Sequence, residues 1–525
     1  MISSFRQNMP AIFGLVPVRQ ERANSRTIRA DVLREQLFQS PDIASGALRV
    51  SGATIVDVLD LTGVTVPIAL FLENCDIEET VQLRDAEIPR LNLRSSHLRG
   101  GLRADGLVVK NSVNARRACF EKAVYLRDAH IGGELNLVGA KLRAREGSAL
   151  VAEGVQVDGD LLLSEGFDAE GNADGVIRLL GARIARDLTC DGARIRNTAG
   201  QPALHAERVN IGGNVFMRDA ELIGTVVLLG ASVQGRLSCE RADLTGSDGP
   251  ALMADGLRTD SDVDLTGLTA SGSGRRATVC LRGAQTGALI CDPGAGPHRR
   301  GVTADADGDS LDLMLAKLGS LLTLSPHFSV QGRVLLNGLE YPAVPEGMER
   351  EDWTNFLRDH VEYATQPYQQ LAGAYRAAGR EEDARAVLIA QRDHLLRRPN
   401  LSLPERTRLR ILRVTLGYGY QSWRAMVGLA LTLAFAVTFV LAAGLFSHEV
   451  RVPQSKQSCA IVDEVGLGVQ LAVPFLSTTN RSRCDLVTSK TSDAWVVAGS
   501  WVFQLLGWGF ATLFIAGFSG LIRKG

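Results

Sequence analysis

From Val50 onward the apolar residues recur at steps of five and six: Val50, Ile55, Leu61, Val66, Leu72, Ile77, Leu83 and Ile88. Neither the 3.6-residue period of an amphipathic helix nor the two-residue alternation of an ordinary strand sustains that spacing. It fits a chain in which each short strand gives one inward apolar side chain, turns a corner and repeats on the next face. Four faces make a coil of about 20 to 22 residues, and coils stacked at the strand spacing of about 4.8 Å make residues 43–345, less their loops, a rod of about eleven coils and roughly 50 Å.

The repeat is visible by direct alignment. LRDAHIGGELNLVGAKL (126–142), LLGARIARDLTCDGARI (179–195) and MRDAELIGTVVLLGASV (217–233) share an apolar residue, an Ala three places on and a second apolar residue two beyond it. Self-similarity of this kind marks a solenoid, whose tight interior suits a small residue near each inward one. A longer unit is shared by GSALVAEGVQVDGDLLL (147–163), QPALHAERVNIGGNVFM (201–217) and GPALMADGLRTDSDVDL (249–265). Polar insertions such as RNTAGQ and TGSDG precede two of these units, so loops are expected to project from one corner as a ridge. Bare solenoid ends would pair with other chains. SRTIRADVLREQLF (25–38), with Ile28, Val32, Leu33 and Leu37 at helical spacing, is expected to cap the first coil, and Pro342 and Pro345 to close the last.

AEIPRLNLRSSHLRG (86–100) keeps a strict five-residue register, and the repeat resembles the pentapeptide-repeat type of β-helix. The resemblance implies a right-handed quadrilateral β-helix and a mainly β fold class, followed here by an α-helical hairpin and two transmembrane helices.

Beyond residue 345 the period changes. Tyr368, Leu371, Ala372, Tyr375, Ala384 and Leu388 have the spacing of one tetratricopeptide-like hairpin with Gly379 at its turn. The basic, amphipathic stretch that follows, with Arg406, Arg408, Arg410 and Arg413 beside Leu409, Ile411, Leu412 and Val414, suits a helix on an anionic membrane surface. Ala425 to Phe446 is 22 residues without a charge and Ala494 to Ile522 is 29, each above the roughly 20 residues that cross a bilayer. The expected organisation is an N-terminal tail and capping helix (1–42), the β-helix (43–345), the hairpin (346–400), a juxtamembrane segment (401–422), a first span (423–447), a loop with a short apolar helix (448–493), and a second span with its basic tail (494–525).

Basic residues cluster before the first span and after the second, while the loop 447–493 balances five bases against five acids. The positive-inside rule then puts both termini in the cytoplasm of a bacterial inner membrane. MPAIFGLVPV near residue 1 is too short and Pro-broken for a secretory signal. Cys459 and Cys484, the two cysteines of the outer loop, are a disulfide candidate, and the other six lie where thiols stay reduced.

Composition narrows the chemistry. The formal net charge is -1 and the rod carries 38 acids against 31 bases, so no nucleic-acid partner is expected. The eight His show no metal-ligand pairing, and DADGDSLD and DAEGNADG lack the glycine position of an EF-hand loop. No nucleotide-binding glycine loop or nucleophile elbow is present. No catalytic residue, cofactor or metal site is expected, which points away from an enzyme. Gly417–Tyr418–Gly419 looks like a potassium filter but precedes the first span, where a filter lies between spans; a flexible interfacial joint is expected instead. VGLGVQLAVPFLS (465–477), too short to span, reads as a packing helix or as a pore loop through Val469, Gln470, Pro474 and Phe475.

Taken together, YQQLAGAYRAAGREEDARAVL, GYGY, the VPFL loop and the closing AGFSGLIRK resemble a family of actinobacterial membrane proteins with a degenerate β-helix, often labelled membrane-associated oxidoreductases. The reading is a membrane-anchored cytoplasmic scaffold or sensor with the bilayer and a cytoplasmic protein as partners. Two alternatives stand beside it: a homo-oligomeric two-span pore, and a redox enzyme as the family label implies.

Overall fold

The computed structural model describes residues 26–39, 46–294, 301–304, 308–326, 328–397, 401–421, 423–443, 450–451, 460–473, 485–486 and 494–518. The chain forms two compact units, residues 1–381 and 382–525.

The first unit is a parallel β-solenoid of about eleven turns. Its short strands stack into four sheets of 13, 12, 10 and 12 strands, one for each side of the coil. We number the faces in the order the chain visits them within a coil: face 1 begins at Thr27–Arg29 and Thr54–Val56, face 2 at Leu59–Asp60, face 3 at Glu87–Ile88 and face 4 at Ala47–Ser51. Coils of the first half repeat every 21 or 22 residues, with Asp76 paired to His97, His97 to Cys119 and Cys119 to Lys141. The next coil is five residues longer, Lys141 pairing with Asp168.

The inward residue of a typical strand is an apolar side chain in full burial, as at Ile77, Leu98 and Phe120 on face 1. Alanines two places earlier, such as Ala86, Ala118 and Ala129, are buried beside them. Each coil also turns two of its corners through left-handed backbone. After face 2 a left-handed residue recurs from Gly63 and Asp85 to Leu315 and Gly338, and after face 4 from Gly52 and Asn74 to Gly294. The corner after face 3 is also tight. A Cβ on Gly212 would lie 2.3 Å from the Ala185 carbonyl oxygen and one on Gly132 2.5 Å from that of Lys110.

The ends are closed differently from the expectation at one point. Helix α1 (Ala30–Gln39) buries Ala30, Leu33 and Leu37, but Val32 is exposed. Ile28 belongs to a strand that pairs with Ile55 and extends face 1, because a strand edge satisfies its backbone while the helix covers only the interior. At the far end α2 (Arg350–Asp359) buries Trp353, Phe356 and Leu357, and these meet Leu322, Val334 and Leu336 of the last coils. Helix α3 (Thr365–Ala377) is stitched to the final turn: Gln366 accepts from the Gly338 N–H (2.9 Å) and donates to the Leu339 carbonyl (2.9 Å), and Gln370 donates to the Tyr341 carbonyl (2.7 Å).

The second unit contains α4 (Glu381–Leu396), α5 (Leu403–Leu416), α6 (Trp423–Ala442), α7 (Ile461–Ala472) and α8 (Ala494–Phe518). Two of these are long and apolar enough to cross a membrane, α6 with a mean hydropathy of 2.4 and residues 498–516 of α8 with 1.3.

Candidate functional sites on the ridge and the helical unit

Five insertions leave the solenoid at the corner between faces 1 and 2: residues 144–149, 172–176, 198–203, 246–251 and 272–278. They form a continuous ridge, bonded over much of its length. Asn172 Oδ1 accepts the Gly147 N–H at 2.8 Å, and Asn197 donates to the Ala173 and Pro202 carbonyls at 2.8 and 3.0 Å while accepting the Ala199 N–H at 2.9 Å. The coil at 221–227 has no insertion, and there Gly200 and Asp248 of the flanking loops meet directly. Arg145, Glu146, Asp248, Arg275 and Arg276 are exposed at the crest.

The ridge roofs outward residues of face 2. Cys280 donates its thiol to the Ala277 carbonyl (3.1 Å), and Arg276 reaches the Met253 sulfur (3.6 Å). Arg178 bonds the Asp174 carbonyl and pairs with Glu153 at 2.6 Å, and Glu153 also holds Arg127 at 3.4 Å. His205 lies beneath the same loop, 14% exposed, with Nδ1 3.5 Å from Asp174 but in no hydrogen bond. Face 1 carries a parallel ladder: Arg99 with Asp76 (2.6 Å), His97 with Glu121 (2.7 Å), and Asp168 held by Arg143 and Arg196. The hydrogen bond from Arg143 keeps the Asp168 carboxyl below its ordinary range against the opposing effect of burial. These are coil-to-coil ties between partly exposed groups and contribute little individually.

The cysteines of the interior are spaced apart. Along face 4 the inward column runs Cys190, Met217, Cys239, Leu265, Cys291, so each thiol is separated from the next by a full coil. Burial pushes all three up to about 12, as for small hydrophobes rather than ligands. Among the described residues no group of three or more His, Cys, Asp or Glu side chains could hold a metal ion.

In the second unit the Gly-Tyr-Gly triplet is a locked elbow rather than a flexible joint. Gly417 caps α5 in the left-handed conformation and Tyr418 follows it at φ 58°. Tyr418 is 4% exposed and donates its hydroxyl to Asp393 of α4 at 2.8 Å. Arg413 pairs with the same carboxylate at 3.1 Å, and Arg424 at the start of α6 donates to the Arg413 carbonyl at 3.4 Å. Neither Asp393 nor its separation of 25 residues from Tyr418 carries any local sequence signal.

The four arginines expected at a membrane surface are not equivalent. Arg408 and Arg410 are exposed, Arg406 is half-buried, and Arg413, although exposed, is tied to Asp393. Helix α5 itself is initiated by a capping box, Ser402 with Glu405, and ends at Gly417.

Helix α7 starts at Ile461, four residues before the apolar run begins, because Asp463 and Glu464 suit the positive end of a helix. Its face of Leu467, Gly468, Leu471 and Ala472 is buried, and Leu467 and Leu471 cluster with Val440 of α6 and with Ala443 just beyond its end. A Cβ on Gly468 would lie 2.6 Å from the Val437 Cα, and one on Gly507 2.1 Å from the Ala472 carbonyl oxygen. Gly507 stands midway along α8, so α7 runs inward from the loop end of α6 and stops halfway down the pair. The strands Val450–Arg451 and Asp485–Leu486, which flank this excursion, pair antiparallel. Val469 and Gln470 are half-buried on α7; Pro474, Phe475, Cys459 and Cys484 lie outside the described residues.

Comparison with protein-family models, with curated proteins and with solved structures returns no match. The functional reading therefore rests on the fold and on these surfaces.

Proposed function

We propose that the protein is a membrane-anchored scaffold or sensor. In this reading α6 and α8 cross a bacterial inner membrane with both termini in the cytoplasm, and the solenoid offers its ridge to a cytoplasmic protein partner. The observation that carries the reading is the ridge itself: five insertions in contact along one corner of a rigid rod, in a chain that also holds two helices apolar enough to span. A solenoid resists bending because every coil is hydrogen-bonded to the next, and ordered loops on such a support are a common binding device. Affinity capture with the detergent-purified full chain tests it, run beside an Arg275→Glu/Arg276→Glu variant. A protein recovered by the first and lost by the second supports the reading; identical recoveries count against the ridge.

The position of α7 favours a second reading, a homo-oligomeric pore-loop protein, since span, half-length helix and span is the plan of two-helix channels. Native mass in detergent separates the two: a closed ring of four or more copies supports the pore, a monomer or dimer the scaffold. The redox role implied by the resemblance to actinobacterial membrane-associated oxidoreductases predicts a chromophore or bound nucleotide in the purified protein.

A further inference from the structure

Helix α5 presents an apolar stripe that no described residue covers. Leu403, Ile411 and Val414 are 77%, 53% and 74% exposed, and their spacing puts them on one side of the helix with Arg410, while Arg408 flanks the stripe. Leu409 and Leu412 are half-buried. Arg408 and Arg410 make no ion pair among the described residues. Exposed aliphatics interleaved with exposed arginines are costly in water and suit an interface with an apolar interior and an anionic surface.

What covers the stripe follows from the chain. Only residues 417–422 separate α5 from α6, at most about 20 Å of extended backbone, and the elbow is tied by the Arg424–Arg413 and Tyr418–Asp393 bonds. Val414 therefore lies beside the point where the first span begins. We infer that α5 is an interfacial helix that buries Leu403, Ile411 and Val414 at the acyl boundary of an anionic leaflet, with Arg408 and Arg410 on lipid phosphates and Arg413 committed to the elbow. This rests on the membrane-anchored reading above. It also divides the work of three of the four arginines: two select lipid, and one holds the joint.

The test reconstitutes the full chain into liposomes of phosphatidylcholine alone or with phosphatidylglycerol. A fluorescent maleimide is placed at Val414→Cys or, in a separate protein, at Leu403→Cys, and quenching by lipids brominated high on the acyl chain is measured. Quenching is expected at both positions and is stronger with phosphatidylglycerol. Arg408→Gln/Arg410→Gln is expected to abolish the anionic preference, and Arg413→Gln to retain it. A chain that resists carbonate extraction but shows no quenching at either position overturns the inference while leaving the anchor intact. A preference unchanged by Arg408→Gln/Arg410→Gln overturns the headgroup assignment. Extraction of the chain by carbonate removes the anchored reading on which it rests.

Discussion

The hydroxyl of Tyr418 donates to Asp393 at 2.8 Å although the Tyr418 backbone is left-handed at φ 58°. A side chain other than glycine costs roughly 1–2 kcal/mol in that conformation, so the bond, the burial of the ring and the Arg413 pair together hold a shape the backbone alone disfavours. The Gly-Tyr-Gly triplet thus fixes the path from α4 and α5 into α6.

Tyr418→Phe keeps the ring and removes the bond. It leaves Asp393 with Arg413 alone, at a cost of about 1 kcal/mol. Hydrogen exchange by mass spectrometry is expected to show faster exchange over residues 411–424 and unchanged exchange in the solenoid. Unchanged exchange at the elbow would show that the bond does not hold it.

Thiol chemistry separates the interior from the surface. Cys190, Cys239 and Cys291 are at most 1% exposed, with thiols pushed up to about 12, whereas Cys119 is partly exposed on face 1. Iodoacetamide at pH 8 is expected to modify Cys119 and to spare the other three until denaturant is added. Early modification of Cys239 would contradict the stacked interior.

The left-handed corners carry a measurable preference for glycine. Gly181 sits at φ 63° with nothing within 4 Å of a built Cβ, so Gly181→Ala adds no clash and tests the backbone alone. It is expected to cost about 1 kcal/mol, read as a lower urea midpoint at unchanged slope. No change would mean the corner relaxes.

Asp168 links Arg143 and Arg196, and its lowered carboxyl fixes the sign of its pH dependence. Its contribution is fully present above the ordinary carboxylate value of about 4 and is lost as pH falls through the lowered folded value. Asp168→Asn is expected to lower the thermal midpoint at pH 7, and the gap from the parent to narrow toward pH 2. A gap independent of pH would assign the effect to packing.

The solenoid was legible from sequence because its determinant is local: one inward residue per strand, repeated at every step from Val50 to Ile88. The buried faces of the connector were legible for the same reason, and Tyr368, Leu371, Ala372 and Tyr375 are all buried. Val32 shows the limit. It shares a helical face with Leu33 and Leu37 in the sequence, but the chain enters α1 from a strand at Ile28, and the helix is rotated so that Val32 meets water. The halfway stop of α7 was illegible because it depends on which backbones Gly468 and Gly507 meet, at Val437 and Ala472. The division of labour among the four arginines depends likewise on Asp393, a residue from another helix.

The most direct test of the central claim is the side of the membrane on which the ridge lies. Ser247→Cys at the exposed crest and Ser455→Cys in the segment between α6 and α8 are each expressed in the full chain. Both are treated with a membrane-impermeant maleimide in intact cells and read at the site by mass spectrometry. The account predicts labelling of Ser455→Cys in intact cells and of Ser247→Cys only after the membrane is permeabilised. Labelling of Ser247→Cys in intact cells, or equal protection of both positions, would contradict a solenoid anchored to the cytoplasmic face by two spans.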